Sequence, residues 1–465
     1  MALAEDLSWS DFLAEGRAAR IALICLGVWL NAADSLVTTT IMPSIGRQLG
    51  GYAYFSWATA AYMVGAILSG ATAAGLSARL GLRRAMVAAG VLTAAGCALS
   101  ALASGMLPLV AGRLVQGLGA GWIVGACYAA LGSIFPARHL ARIFGMMTAV
   151  WGVATILGPL VGAVFAEGDH WRWLFWAFAA QCLAFVAAAL WLLPQDAPPA
   201  PQRAPWLQLA LVLAGVGLLA AADLTSRVVA ALALCLVSVA AFIAAVRLGP
   251  PDKAGGGEGG LFPRAAGDPS TLIGAAYLSY FALAAAAMGF SVYAPALLQK
   301  LFALTPLQAG YAAGLESVGW TVAALAVAGR SEAWHGPMIR LGGACVVVAL
   351  AWLTLVMRTG PVPSILAAGA VLGVGFGLSS GFTGRRVIAA AGPEAEVASA
   401  GINAARQVGN AAGACVSGII ANLVGFAGGV SLRAAEASAV WLFALMLPVA
   451  AVGAWGAWRV GGAKG

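Results

Sequence analysis

Long apolar runs broken by short polar loops make up most of this chain. An α-helix rises 1.5 Å per residue, so ~20 apolar residues cross the ~30 Å hydrocarbon core of a bilayer. Fourteen runs reach about that length, at roughly 21–45, 54–74, 85–104, 107–130, 143–166, 172–193, 206–222, 228–247, 272–297, 306–328, 340–357, 362–383, 399–425 and 437–458. The pattern predicts an all-α polytopic membrane protein. The seventh run is the shortest, and losing it with the eighth would leave twelve.

Two loops stand apart from the rest. Pro194–Pro205 (PQDAPPAPQRAP) is Pro-rich and Gly249–Ser270 (GPPDKAGGGEGGLFPRAAGDPS) is Gly/Pro-rich, as linkers are. They divide the chain into a segment 1–20, a six-helix bundle 21–193, a linker region 194–270 with two extra helices, and a second six-helix bundle 271–465. FPARHLARIFG (Phe135–Gly145) and GPEAEVASAG (Gly392–Gly401) occupy corresponding places in the two bundles, a faint echo of the kind that transporter repeats leave.

Composition agrees. The 465 residues are 62% hydrophobic and 9% charged, with mean hydropathy +0.92, too few charges to cover a soluble protein of this size. The net charge of +8 sits in short loops, which speaks for a membrane orientation and against nucleic acid. With the N-terminus in the cytoplasm, the inside loops hold 17 Lys and Arg and the outside loops 6, while Arg113 and Arg406 lie within spans, accounting for all 25. Both termini are therefore expected to be cytoplasmic. The first 20 residues lack the basic start of a cleavable signal peptide, and the seven cysteines sit singly in apolar runs, as small buried hydrophobes do. His139, His170 and His335 fall in predicted loops and read as surface residues.

Ionisable side chains inside spans are costly and mark function. There are four: Asp34, Arg113, Glu316 and Arg406, two of each sign. Asp34 and Glu316 read as protonatable carboxylates, or as partners for a cationic cargo. Arg113 and Gln116 share a helix face at i, i+3 in GRLVQGLGAG, and Asn403, Arg406, Gln407 and Asn410 form a polar stripe. Trp320 lies one turn from Glu316, placed to stack on a planar cation, and Tyr280 is a further candidate for lining a cavity, as are Trp57, Tyr62, Tyr277, Phe281 and Tyr293. Gly152, Gly158, Pro159 and Gly162 in WGVATILGPLVGAV give one helix a bend or a close contact.

Taken together, these motifs resemble the major facilitator superfamily, in its fourteen-helix drug:proton antiporter branch. GRLVQGLGAG is similar to that family's fourth-helix motif, GVATILGPLVGAV to its fifth-helix antiporter motif, and DSLVTTTIMPSIGRQLGG to its first-helix signature. WRWLFW (Trp171–Trp176) and NAARQVGNAAG (Asn403–Gly413) add to the likeness. GLSARLGLRRAM resembles the cytoplasmic loop motif in Arg79, Gly81, Arg83 and Arg84, but Ala78 stands where the family has an Asp that helps lock the outward-facing state.

The resemblance implies two bundles rocking about a central cavity. It also implies proton-coupled export, with protons as the coupling ion, no cofactor, and a monomer in the cell membrane. Three readings stay open: an exporter of lipophilic or cationic compounds, a dedicated exporter of one metabolite or anion held by Arg113 and Arg406, and a non-transporting sensor or scaffold. Neither a phosphate-binding GxxxxGK[ST] loop nor a nucleophile or metal constellation points to an ATP-driven pump or an enzyme.

Overall fold

The computed structural model describes residues 16–135, 137–194, 205–225, 227–248 and 260–463. Most of the expected N-terminal segment 1–20 and the tips of both linkers lie outside the described residues. Fifteen α-helices run through the rest: α1 (Arg17–Leu49), α2 (Trp57–Leu80), α3 (Leu82–Ala101), α4 (Met106–Ile134), α5 (Ala137–Glu167), α6 (Trp171–Leu192), α7 (Trp206–Asp223), α8 (Val228–Arg247), α9 (Leu272–Phe302), α10 (Pro306–Val327), α11 (His335–Val356), α12 (Val362–Ala391), α13 (Ala395–Leu423), α14 (Leu432–Ala444) and α15 (Leu447–Gly462). The last predicted span is thus two helices. Pro448 lacks the N–H that would continue the ladder, and the break falls just before it, at Leu445 and Met446.

Among the described residues, eleven elements are long and apolar enough to cross a membrane, with α14 and α15 counted as one. Helices α2, α10 and α13 are not among them. In α10 and α13 the apolar stretch is interrupted by Glu316 and by Asn403 and Arg406, and among the described residues length and hydropathy support fewer spans than the fourteen expected.

Successive helices alternate in direction, with α14 and α15 together making a single pass, which gives the bundle two ends. The near face carries the beginning of α1 and the end of α15; the far face carries the turns after α1, α7 and α13. Within the first six helices α4 packs on α2 and α3, and α1 on α5. In the second bundle, α12 packs on α10 and α11, and α9 on α13 and α15. The two sets meet where α5 lies against α10 and α2 against α13.

The extra pair is asymmetric. Helix α7 packs on α8 and also reaches α13 and α2. Helix α8 faces outward, with Val229, Leu232 and Leu236 exposed. Gln208 fastens the near end of α7, its Nε2 donating to the Ala245 carbonyl at 3.1 Å and its Oε1 accepting from the Leu261 backbone N–H.

Two histidines differ from expectation. His139 lies within α5 and is fully buried, and His335 opens α11, stacked on Phe382 with centroids 4.5 Å apart. Both helices begin earlier than their apolar runs, and packing at the near face covers the added turns.

Candidate functional site

Glycines in α4 decide how a charge can be buried. A Cβ at Gly117 would collide with the backbone of Tyr62 in α2, and one at Gly119 with Thr93 in α3. With hydrogens there instead, α2 and α3 close on α4, and Arg113 is left 2% exposed between them. Asp34, midway along the 33-residue α1, is also 2% exposed. Its carboxylate accepts from Arg113 Nη1 at 2.8 and 2.9 Å and from Gln116 Nε2 at 2.7 Å. Arg113 Nη1 also donates to Gln116 Oε1 at 2.8 Å, and the guanidinium lies 4.4 Å from the Tyr62 ring centroid. The Tyr62 hydroxyl donates to Asn31 Oδ1 at 2.9 Å. Every charge here has its opposite, and the network joins three helices of the first half.

The second half is built differently. Glu316 in α10 is half-buried and accepts one side-chain hydrogen bond, from Ser291 Oγ of α9 at 2.9 Å. Arg406 in α13 donates to Asn403 Oδ1 at 3.0 Å, within its own helix. Its guanidinium sits 5.5 Å from the Trp320 ring centroid, and Trp320 stacks on Phe376 at 5.1 Å. Among the described residues no carboxylate ion-pairs with Arg406 and no base with Glu316. Arg406, Trp320, Phe376, Tyr280, Ser379 and Thr383 line a narrow cleft. The Tyr280 hydroxyl is committed to the Ser380 carbonyl at 2.6 Å, so Tyr280 offers the cleft its ring.

Such an arrangement suits binding and movement: an aromatic, hydroxyl-lined cleft in one half, and a buried ion pair in the other. The family model described as Major Facilitator Superfamily matches residues 24–414. The chain belongs to the major facilitator superfamily. It is therefore a membrane transporter, not an enzyme. The "Probable multidrug-efflux transporter" of Mycobacterium tuberculosis is 29% identical over 443 residues, covering 90% of each chain. "Multidrug resistance protein 3" of Bacillus subtilis is 32% identical over 154 residues, 33% of this chain and 30% of that one. Among solved structures, a nucleoside transporter (a D323A mutant) shares the fold with TM-score 0.66 at 12% identity, over 95% of this chain and 99% of that one. A D-xylose-proton symporter does so with TM-score 0.62 at 16% identity, over 92% and 97%.

In this major facilitator the fifth-helix motif divides its work. A Cβ at Gly158 would press on Leu36 and one at Gly162 on Thr40, both in α1 of the same half. Pro159 faces the other half, where Gly310 and Gly314 of α10 receive it. Gly152 has open space around it, so the contact expected there is missing. In the loop motif, Gly81 turns the chain at φ +81°, a conformation suited to glycine. Arg79 and Arg84 are exposed and Arg83 is half-buried, and among the described residues none of the three hydrogen-bonds or ion-pairs.

The sequence reading missed three polar partners. Ser291 and Asn31 are uncharged and sit in ordinary apolar helices, so only geometry connects them to Glu316 and Tyr62. Asp223 had a signal: it follows the predicted end of the seventh span by one residue. The structure extends α7 to include it and buries it to 5% exposure.

Proposed function

We propose that this chain is a proton-coupled exporter of small lipophilic or cationic compounds, in which the Asp34–Arg113 pair is the coupling element. The carrying observation is the completeness of that pair: two charges 2.8 Å apart, each 2% exposed, with Gln116 bridging them. Protonating Asp34 removes the anion and leaves Arg113 buried without one. Breaking a buried pair in this way costs about 3–5 kcal/mol. About 5.5 kcal/mol carries a two-state equilibrium from 1:99 to 99:1. One proton therefore exerts most of the force needed to favour an arrangement in which α1 and α4 part.

Export of a monovalent cation against ~100 mV costs ~2.3 kcal/mol, which an entering proton offsets. Glu316, with a single neutral partner, is the carboxylate available to a cationic cargo or a second proton, and Trp320, Phe376 and Tyr280 give the cleft its aromatic walls. Relatives named for multidrug efflux support this choice.

The membrane frame belongs to the same proposal: fourteen spans, bundles 21–193 and 271–465, and a monomer in the cell membrane with both termini in the cytoplasm. The excess of Lys and Arg in near-face loops supports that orientation. Gly152, Gly158, Pro159 and Gly162, with Arg79, Gly81, Arg83 and Arg84, are assigned to gating.

A second reading draws on Arg406. A guanidinium at a cleft without a carboxylate partner also suits a dedicated exporter of an aromatic anion. Arg113 does not serve that reading, since Asp34 already neutralises it. Proton flux in proteoliposomes separates the readings. Release triggered by several unrelated cations supports the first, response to one anion alone supports the second, and silence across cations, neutral drugs and anions would overturn both.

A further inference from the structure

One buried carboxylate has no part in this coupling. Asp223 ends α7, the inner helix of the extra pair, and is 5% exposed. Its Oδ2 accepts from Trp57 Nε1 at 2.8 Å and from Ser56 Oγ at 3.3 Å; its Oδ1 accepts from Asn422 Nδ2 at 2.7 Å. Among the described residues no basic side chain ion-pairs with it. The donors come from opposite halves. Ser56 and Trp57 begin α2, while Asn422 lies at the end of α13 and donates also to the Ala53 carbonyl at 2.9 Å.

The surroundings fit a closed gate. Gly418, one turn before Asn422, lies so close that a Cβ would collide with Ser56 Oγ and crowd Asp223 Oδ2. Beside it, Phe55 of the first half packs on Tyr293 and Phe426 of the second, with centroids 5.4 Å away in both cases, and Tyr52 adds an edge contact to Phe426 at 5.9 Å. All of this lies on the far face. At the other end of α2, Arg79 and Arg84 stand exposed in solvent.

We propose that Asp223 is the latch of the far-face gate, a positioning residue that holds Trp57 and Asn422 together while that face is shut. The extra pair is then a working part, with a carboxylate on a helix of neither half tying both halves shut. Hydrogen bonds to an ionised acceptor are the strong ones, and a buried acceptor stripped of its donors has no substitute until water enters. Opening the far face moves α2 away from α13, so Asp223 has to give up the donors of at least one side. Helix α8, anchored to α7 by packing and by Ser238 Oγ donating to the Gly215 carbonyl at 2.7 Å, travels with it.

The test reads the gate itself and needs neither substrate nor proton gradient, so its failure leaves the coupling proposal untouched. The seven native cysteines are replaced. Spin labels are placed at Leu102 and Leu432, exposed far-face positions in different halves, and distances are measured by pulsed electron resonance on monodisperse protein. Asp223→Ala should raise the long-distance, far-face-open population about fivefold or more relative to the parent. Trp57→Phe, which removes one donor and keeps the ring, should shift it the same way by less; it carries the test if Asp223→Ala does not fold. Leu207→Ala, on the exposed side of α7, should leave the distribution unchanged. Distributions for Asp223→Ala and Trp57→Phe that superimpose on the parent's would overturn the latch.

Discussion

The two halves hold their membrane charges in opposite ways. In the first half Asp34 and Arg113 face each other at 2.8 Å, with Gln116 closing the gap and Tyr62 covering the guanidinium. In the second, Glu316 and Arg406 have the same two signs but do not pair: one rests on Ser291, the other on Asn403 and the Trp320 ring. A satisfied buried pair stores the energy of its own disruption, so it suits a switch. Half-exposed charges with weak neutral partners leave their electrostatics free for something that arrives, so they suit a site. The proposed function rests on this difference: energy coupling in the first half, cargo in the second.

Stability should separate the halves most sharply. Arg113→Ala leaves a buried carboxylate beside Gln116 alone and should lower the unfolding free energy by about 3–5 kcal/mol. Arg406→Ala gives up one helix-local hydrogen bond and a cation–π contact, worth about 1 kcal/mol at a partly exposed site. Thermal unfolding of purified protein in detergent compares them, and equal losses would erase the distinction. Replacing both members, as Asp34→Leu with Arg113→Met, should recover most of the loss, because apolar residues of similar size often substitute for a buried pair at little cost.

Next in size is the seam between the halves. Gly310 meets Thr40 of α1 and Pro159 of α5, and a Cβ there would come within 2.9 Å of Thr40 Oγ1 and 3.1 Å of Pro159 Cβ. Gly310→Leu should overpack that seam, destabilise by about 1–3 kcal/mol and slow transport. The same change at Gly152, which meets nothing within 4 Å, should carry no such packing penalty. Unfolding and transport assays on the two variants decide it.

The smallest effect belongs to the cleft. Trp320→Ala should weaken binding of an aromatic cargo about two- to fivefold, the scale of one stacking or cation–π contact of about 0.5–1 kcal/mol. It should leave the Asp34 network unaltered. Tryptophan-to-alanine binding curves that coincide with the parent's would remove Trp320 from the site.

Much of this was readable from the chain because a membrane makes charge expensive. Four ionisable residues deep in apolar runs needed no structure to single them out, and i, i+3 spacing put Arg113 and Gln116 on one face. Partnership was not readable. Two charges of each sign allow two pairings, and only the packing of α1 on α4 shows that one pair forms and the other does not. Nor could spacing show that Arg406, from another helix, lies over the Trp320 ring. Asp223 was lost to a helix edge drawn one residue short, an error that hydropathy cannot correct because an Asp at the margin of an apolar run reads as its end. The buried His139 and His335 were misplaced for the same reason, since helices outlast their apolar stretch wherever loops pack over them. Pro448 sits at the break between α14 and α15, but the apolar run continues through it, so the pattern read 437–458 as one span.

The most direct test of the coupling claim is substrate-stimulated proton movement in proteoliposomes, comparing the parent protein with Asp34→Asn and Glu316→Gln. Asn at position 34 keeps an acceptor for Arg113 and mimics the protonated carboxyl. The account predicts that Asp34→Asn abolishes proton movement with every cargo, while Glu316→Gln keeps it and changes which cargoes elicit it. Proton movement in Asp34→Asn equal to the parent's would contradict the account, whatever Glu316→Gln does.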